Sequence, residues 1–268
     1  MTDPDLPAAP HDVVADDHSF SAWAATVTGQ RLQALREQGR DGSPLEGRAL
    51  KDAGDALGQD LLMQLLAAYR PGDAVLSEEA KDDKVRLTRD RVWIIDPLDG
   101  TREYSEPPRD DWAVHVALWE RGDLVAGAVA QPGMSTTFST ANPPDVPARS
   151  SERPRIAVSR TRPPAFVDAL ADEIAADLVP MGSAGAKVIS VARDVTDAYV
   201  HAGGQYEWDS AAPVVVARAA GLHTSRADGA PLAYNQDDVL LPDLLVCRPE
   251  LADVITTFVQ RYWANNPA

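Results

Sequence analysis

The chain has 268 residues, 44% of them hydrophobic, enough to bury a substantial core in one large domain or two closely packed lobes. Its formal charge of −16 works against nucleic acid polymers and anionic membranes as partners, because phosphate-rich surfaces are held by clustered Lys and Arg. A single cysteine, Cys247, excludes an intramolecular disulfide and a cysteine-based zinc site. The first residues, MTDPDLPAAPHDVVADDHS, have no basic start and no long apolar stretch. Neither a signal peptide nor a membrane anchor is therefore expected there, and the expected compartment is the cytoplasm. Apolar residues at helical spacing (Phe20, Trp23, Ala24, Val27, Leu32, Leu35) predict a helix over 20–37, and Leu57, Leu61, Leu62, Leu65 and Leu66 predict another over 56–69. DGSPLEG (41–47) between them is turn chemistry. Strands are expected at 74–76, 91–95, 112–119 and 124–130, the last two joined as a hairpin through 120–123. ANPPDVPARSSERP (141–154) is the clearest composition break, dividing an N-terminal α+β lobe (1–150) from a C-terminal α/β lobe (151–268) of one catalytic unit. Beyond it the pattern gives a strand at 155–158, a helix from about Pro163, a helix at 184–193, a strand at 197–200 and a helix at 209–220 ended by Gly221. The apolar run 240–247, which includes Cys247, reads as a buried strand, and a final helix reaches Trp263. Alternation of this kind predicts layered α/β architecture.

The most informative stretch is RVWIIDPLDGTREY (91–104). An apolar run, Val92 to Ile95, ends on Asp96 and Asp99, and Gly100-Thr101 opens a helix directly afterwards. Such a strand end places anionic metal ligands beside backbone N–H groups that can hold a phosphate, the equipment for phosphoryl chemistry. On its own DPLDG reads equally well as a turn, since Asp, Pro and Gly all favour turns. Two distant strings tip the balance. AVLSEEA (74–80) is a second apolar run closing on Glu78 and Glu79, and QYEWDSAAP (205–213) sets Asp209 at an expected helix start. An acidic protein suits an anionic substrate only if divalent cations neutralise the acidic cluster.

These strings, in this order, resemble the inositol monophosphatase superfamily, whose pattern is an EE pair, then WIIDPxDGT, then WDxAA. The resemblance runs from about Asp52 to Asn235. It implies an αβαβα sandwich, two or three Mg2+ ions per site, sensitivity to Li+ and hydrolysis of a small phosphate ester by direct attack of water. After DGT this chain continues Arg102-Glu103-Tyr104, similar to the Lys-Glu-Phe of the 3'-phosphoadenosine 5'-phosphate (PAP) phosphatase branch rather than the Thr-Asn-Phe of inositol phosphatases. The implied reaction is PAP to AMP and phosphate, with PAPS to APS alongside, in sulfur assimilation. Hydrolysis of inositol 1-phosphate or fructose 1,6-bisphosphate at the same site is the nearest rival, and a catalytically silent metal- or nucleotide-binding regulator is a rival of another class. Relatives are often homodimers.

The resemblance also assigns roles. Glu78, Asp96, Asp99, Asp209 and the Leu98 carbonyl would hold the cations; without the resemblance, Asp209 reads as a helix N-cap. Glu79 is expected beside Glu78 or facing solvent. Thr101 and Glu78 would orient the attacking water, and Gly100 and Thr101 would donate N–H groups to the phosphate. Asp55, in LKDAGD, corresponds to the Asp that supports that water or a third metal, but Ala49 replaces a first Asp that relatives often have, and an ordinary surface Asp is the alternative. GSAGAK (182–187) resembles the branch's GSSxK string. Ser183 and Lys187 are therefore expected at the substrate, Lys187 on its second phosphate, the alternative being a lysine snorkelling from its helix. Asp209, Arg102, His201 and residues 159–162 fall where further substrate contacts are expected. His115, in an alternating strand, is expected to be a satisfied core histidine.

Overall fold

The computed structural model describes residues 6–38 and 45–266, so residues 41–44 of the expected turn lie outside the described residues. The chain forms α1 (His11–Ala15), α2 (Asp17–Gln38), α3 (Gly47–Tyr69), β1 (Ala74–Ser77), β2 (Arg91–Asp99), α4 (Thr101–Tyr104), β3 (Ala113–Glu120), β4 (Asp123–Gln131) and β5 (Thr136–Ser139). After an irregular stretch it continues as β6 (Arg155–Ser159), α5 (Val167–Ile174), β7 (Asp177–Met181), α6 (Ala184–Ala192), β8 (Ala198–Tyr206), α7 (Glu207–Ala219), β9 (His223–Ser225), β10 (Leu240–Cys247) and α8 (Ala252–Asn265). The first sheet has strand order β1-β2-β3-β4-β5 and the second β7-β6-β8-β10-β9. Both are mixed: β1 and β2 are parallel, as are β7, β6 and β8, and the remaining pairs are antiparallel.

Burial on both faces of each sheet explains why the strand sequences are almost continuously apolar. In the first sheet Trp93, Ile95, Val114, Val116 and Leu118 pack against Phe20, Leu32, Leu62 and Leu65 of α2 and α3. Val92, Ile94, Ala113 and Ala117, of opposite parity, share a core with Val188, Ile189, Ala211 and Val215 of α6 and α7, and with Tyr199, Leu244 and Val246 of the second sheet. The far face of that sheet, including Val200, Leu245 and Cys247, packs on Leu170 of α5 and on Ile255 and Val259 of α8. The layers are thus helix, sheet, helix, sheet, helix: the expected αβαβα sandwich. The central helices follow residue 154 in the chain yet pack on a sheet made before it. No helix among the described residues is long and apolar enough to cross a membrane.

Several elements depart from their expected bounds for local reasons. α3 starts at Gly47, well before residue 56, because its first turns carry Arg48, Lys51, Asp52 and Asp55 and show no apolar period. β7 contains Pro180, which removes a ladder donor, and it is accordingly an edge strand. β8 runs on to Tyr206 through Gly203 and Gly204, residues that disguise a strand. α5 begins at Val167 rather than near Pro163, and α7 begins at Glu207, so Asp209 lies inside its first turn.

Ile95 is fully buried beneath α2 and α3. Ile95→Ala is expected to lower unfolding free energy by about 2–5 kcal/mol in denaturant titrations. A loss well under 1 kcal/mol would show that this layer is not tightly packed.

Candidate active site

β2 ends where its pairing with β3 breaks. Asp96 pairs with His115 and Asp99 with Ala113, so the β2 side has one residue more than the β3 side between those two pairs. Pro97 cannot donate to the ladder. The extra residue lets the two carboxylates leave the strand close together, and the Asp96 carboxylate turns back to accept from the Leu98 N–H at 3.0 Å. Gly100, at φ +82°, makes the left-handed turn into α4; a side chain there would also press on Ser183, whose Cβ would lie 3.0 Å from the added atom. Asp209 arrives from the central layer. Its carboxylate accepts from the Tyr206 N–H at 2.6 Å, closing a capping box, so it caps α7 from within the first turn.

Carboxylate oxygens of Asp96, Asp99 and Asp209 lie within 4.8 Å of one another. Glu78, following β1, lines the same cleft and lies against Asp96. The cleft, about 570 Å³, is also lined by Leu98, Gly100, Thr101, Arg102, Ser183, Lys187 and His201, which brings together the expected site residues except Asp55. Asp55 stands just outside and accepts from the Thr101 hydroxyl at 3.4 Å, while the same hydroxyl is 3.1 Å from the Leu98 carbonyl oxygen. Glu79 is exposed.

The electrostatics are those of like charges forced together. Glu78 as a residue is exposed, but desolvation of its carboxylate in the cleft and then the Asp209 charge push it up to about 7. Burial and the charges of Glu78, Asp99 and Asp209 hold Asp96 well above the usual carboxylate range, and burial with Asp99 brings Asp209 to about 6. Burial, then Glu79, raises Asp55 to about 6. Asp99 is the exception. Burial acts to raise it, but His115, Ser183 and the Gly185 N–H prevail and lower it to about 2. Its Oδ2 accepts from the Ser183 hydroxyl and from Gly185 N–H at 2.7 Å, and Oδ1 accepts from Ala184 N–H at 3.2 Å. The start of α6 therefore grips a protein carboxylate.

Ser183 and Lys187 line the cleft with their donors largely committed. The Ser183 hydroxyl donates to Asp99, and the buried Lys187 ammonium donates to the Gly182 and Ser183 carbonyls above the Tyr199 ring. Burial lowers the Lys187 pKa against the pull of nearby acids. Burial and the Lys187 charge bring His201 down to about 4, so it is neutral near pH 7. Arg102 pairs with Glu106 at 3.1 Å at the rim. Two further features escaped sequence reasoning. Arg160 bridges Glu103 and Glu106 at 2.6 and 2.7 Å, tying the 159–165 wall to α4. His115 contacts Asp99, and only its register opposite Asp96 in the hairpin could have signalled it.

The donor set is all oxygen and crowded with negative charge, which suits a hard divalent cation such as Mg2+. The fold and this oxygen-lined acidic cleft are equipment suited to metal-assisted phosphoryl chemistry. The inositol monophosphatase family model matches residues 24–263. A 3'-phosphoadenosine 5'-phosphate phosphatase of Mycobacterium leprae is 47% identical over 259 residues, spanning 92% of this chain and 94% of that protein. One of Mycobacterium bovis is 53% identical over 226 residues, spanning 80% and 83%. The inositol monophosphatase II structure from Staphylococcus aureus superposes with a TM-score of 0.74 at 20% identity, covering 91% of this chain and 95% of that one. The chain belongs to the inositol monophosphatase family and is a phosphatase.

Raised carboxyl pKa values have a definite sign in stability. The metal-free folded state binds protons at Glu78 and Asp209 more tightly than the unfolded chain, so their favourable contribution is present below about pH 4 and lost as pH rises through about 6 to 7. The melting temperature of chelator-treated protein is expected to carry a falling contribution over that window, with Mg2+ stabilising most at its upper end. Mg2+ stabilisation that is independent of pH from 4 to 8 would contradict this.

Proposed function

We propose that the protein is a Mg2+-dependent 3'(2'),5'-bisphosphate nucleotidase that hydrolyses PAP to AMP and phosphate, and PAPS to APS. The observation carrying this reading is that one cleft is lined both by Glu78, Asp96, Asp99 and Asp209 and by basic side chains, Arg162 and Lys187 together with the ion-paired Arg102 and Arg160. A bisphosphate fits such a cleft, with one phosphate at the acidic cluster once cations are loaded and the other against a basic wall formed by these side chains. The names of the mycobacterial relatives support the choice of PAP.

In this reading Glu78, Asp96, Asp99, Asp209 and the Leu98 carbonyl hold Mg2+, which when bound supplies Lewis-acid polarisation of the phosphate and of the attacking water. The Thr101 hydroxyl, spending its proton on Asp55 or the Leu98 carbonyl, offers lone pairs that orient a water. Asp55, brought up to about 6, is suited to share that water's proton. Backbone N–H groups of Gly100 and Thr101 bind the phosphate being transferred. Lys187 keeps one N–H bond for the substrate beyond the two that support the Gly182-Ser183 turn. Arg162 makes no ion pair among the described residues, which leaves it free for the second phosphate.

Phosphate release from PAP, inositol 1-phosphate and fructose 1,6-bisphosphate, measured with Mg2+ and with chelator, tests the reading. PAP is expected to be the best substrate and chelator to abolish turnover. Asp96→Asn or Asp209→Asn should lower turnover at least about a hundredfold, some 2.7 kcal/mol of transition-state stabilisation. Full activity in chelator would refute the metal role. Arg162→Ala should cut kcat/KM for PAP about ten- to a hundredfold, the size of a charge-assisted hydrogen bond, and leave inositol 1-phosphate nearly unchanged. Equal losses on both substrates would remove Arg162 from the second-phosphate site.

A further inference from the structure

His115 lies in the middle of β3 and is fully buried. Its Nδ1 is hydrogen-bonded to the Trp208 carbonyl oxygen at 3.1 Å, and its Nε2 is 3.2 Å from Asp99 Oδ2, a charge contact whose angle falls short of a hydrogen bond. Trp208 immediately precedes Asp209 in α7. One imidazole therefore touches the segments that deliver two of the three clustered carboxylates, one from the first sheet and one from the central helix layer. An ordinary core histidine needs partners for its ring nitrogens, but nothing requires those partners to be a site carboxylate and the backbone beside another.

The surroundings are fitted to this side chain. A Cβ built on Gly185 would stand 2.1 Å from Nε2 of His115, too close for the imidazole to stay in place. With hydrogen alone at that position, α6 comes close enough for the Gly185 N–H to reach Asp99 Oδ2 at 2.7 Å. Glycine otherwise weakens a helix, so its place in the first turn of α6 is accounted for by close approach.

We infer that His115 is a positioning residue of the metal site, a strut that sets Asp99 against Asp209, with Gly185 leaving the space it occupies. The inference rests on the metal-binding reading of the cleft. Asp99 keeps its contacts with Ser183, Ala184 and Gly185 without the strut, so the carboxylate stays attached to α6. What is lost is the contact from β3 that sets the direction of the Asp99 carboxylate relative to Asp209. A cluster that must converge on one cation is sensitive to that distance, and partners that orient metal ligands typically contribute about ten- to a hundredfold in affinity.

The two arms can be separated, because the amide nitrogen of Gln reaches the place of Nε2 and that of Asn the place of Nδ1. Mn2+ binding by calorimetry, with melting temperature recorded in chelator, is compared among wild type, His115→Leu, His115→Gln, His115→Asn and Gly185→Ala. The strut predicts that Leu and Asn weaken Mn2+ binding about ten- to a hundredfold, that Gln recovers much of it by restoring the Asp99 contact, and that Gly185→Ala imitates Leu by displacing the ring. At saturating Mg2+, KM for substrate should stay close to wild type in the Gln and Asn proteins. Wild-type Mn2+ affinity in the Leu and Asn proteins would overturn the strut while leaving the metal site intact. So would affinity losses that merely track melting temperature across the set, with Gln no better than Asn. A wild-type protein that binds no Mn2+ would overturn the strut together with the reading beneath it.

Discussion

Mutual repulsion among crowded, largely buried carboxylates is the constraint around which this molecule is organised. Asp96, Asp99 and Asp209 offer oxygens within 4.8 Å of one another, and Glu78 lies against Asp96 from the exposed side of the cleft. In an apolar protein interior such a group stays charged only when opposite charge is supplied, and otherwise takes up protons. The fold answers part of this from within, giving Asp99 an imidazole and the start of a helix. Asp96, Glu78 and Asp209 receive much less, and theirs are the elevated pKa values. The charge deficit is localised where a phosphate ester needs cationic help.

Holding such a cluster together takes rigid elements from both halves of the sequence. β2 sits in the first sheet with apolar layers on both faces, and its irregular pairing at Pro97 directs Asp96 and Asp99 to one place. α7 lies between the sheets and carries Asp209 on its first turn, fixed by the capping box. Arg86 adds a buried tie. It pairs with Asp82 and donates to Asn235 and Gln236, whose backbone N–H groups bind Glu207 at the head of α7. The loop that follows Glu78 and the helix that bears Asp209 are thereby braced against each other. Hydrophobic burial elsewhere offsets the cost of the polar centre, as is usual for strained functional sites.

Much of this was legible in the sequence, for identifiable reasons. Strands with apolar runs, the Arg121-Gly122 hairpin and the layered class follow from periodicity and turn chemistry. The acidic strings around Glu78, Asp96, Asp99 and Asp209 were legible through their joint resemblance to the inositol monophosphatase pattern, since singly DPLDG reads as a turn and Asp209 as a helix cap. Less was visible where tertiary context overrides local preference. Pro180 conceals an edge strand, Gly203 and Gly204 conceal half of another, and the polar opening of α3 conceals its start. Side-chain commitments were least visible. Lys187 and Ser183 carry the residue types of substrate ligands, yet their donors are spent mainly on holding the Gly182-Ser183 turn and Asp99. Such partnerships depend on contacts between distant segments that spacing along one chain does not encode.

Occupation of the carboxylate cluster by divalent cations is the point on which the proposed chemistry depends. Anomalous diffraction from crystals soaked in Mn2+ and inorganic phosphate, collected at the manganese edge, addresses this most directly. Strong peaks coordinated by oxygens of Asp96, Asp99 and Asp209 are expected, with the phosphate beside Gly100 and Thr101. Manganese bound only elsewhere, or phosphate seated on the basic wall with the carboxylates empty of metal, would contradict the proposed chemistry.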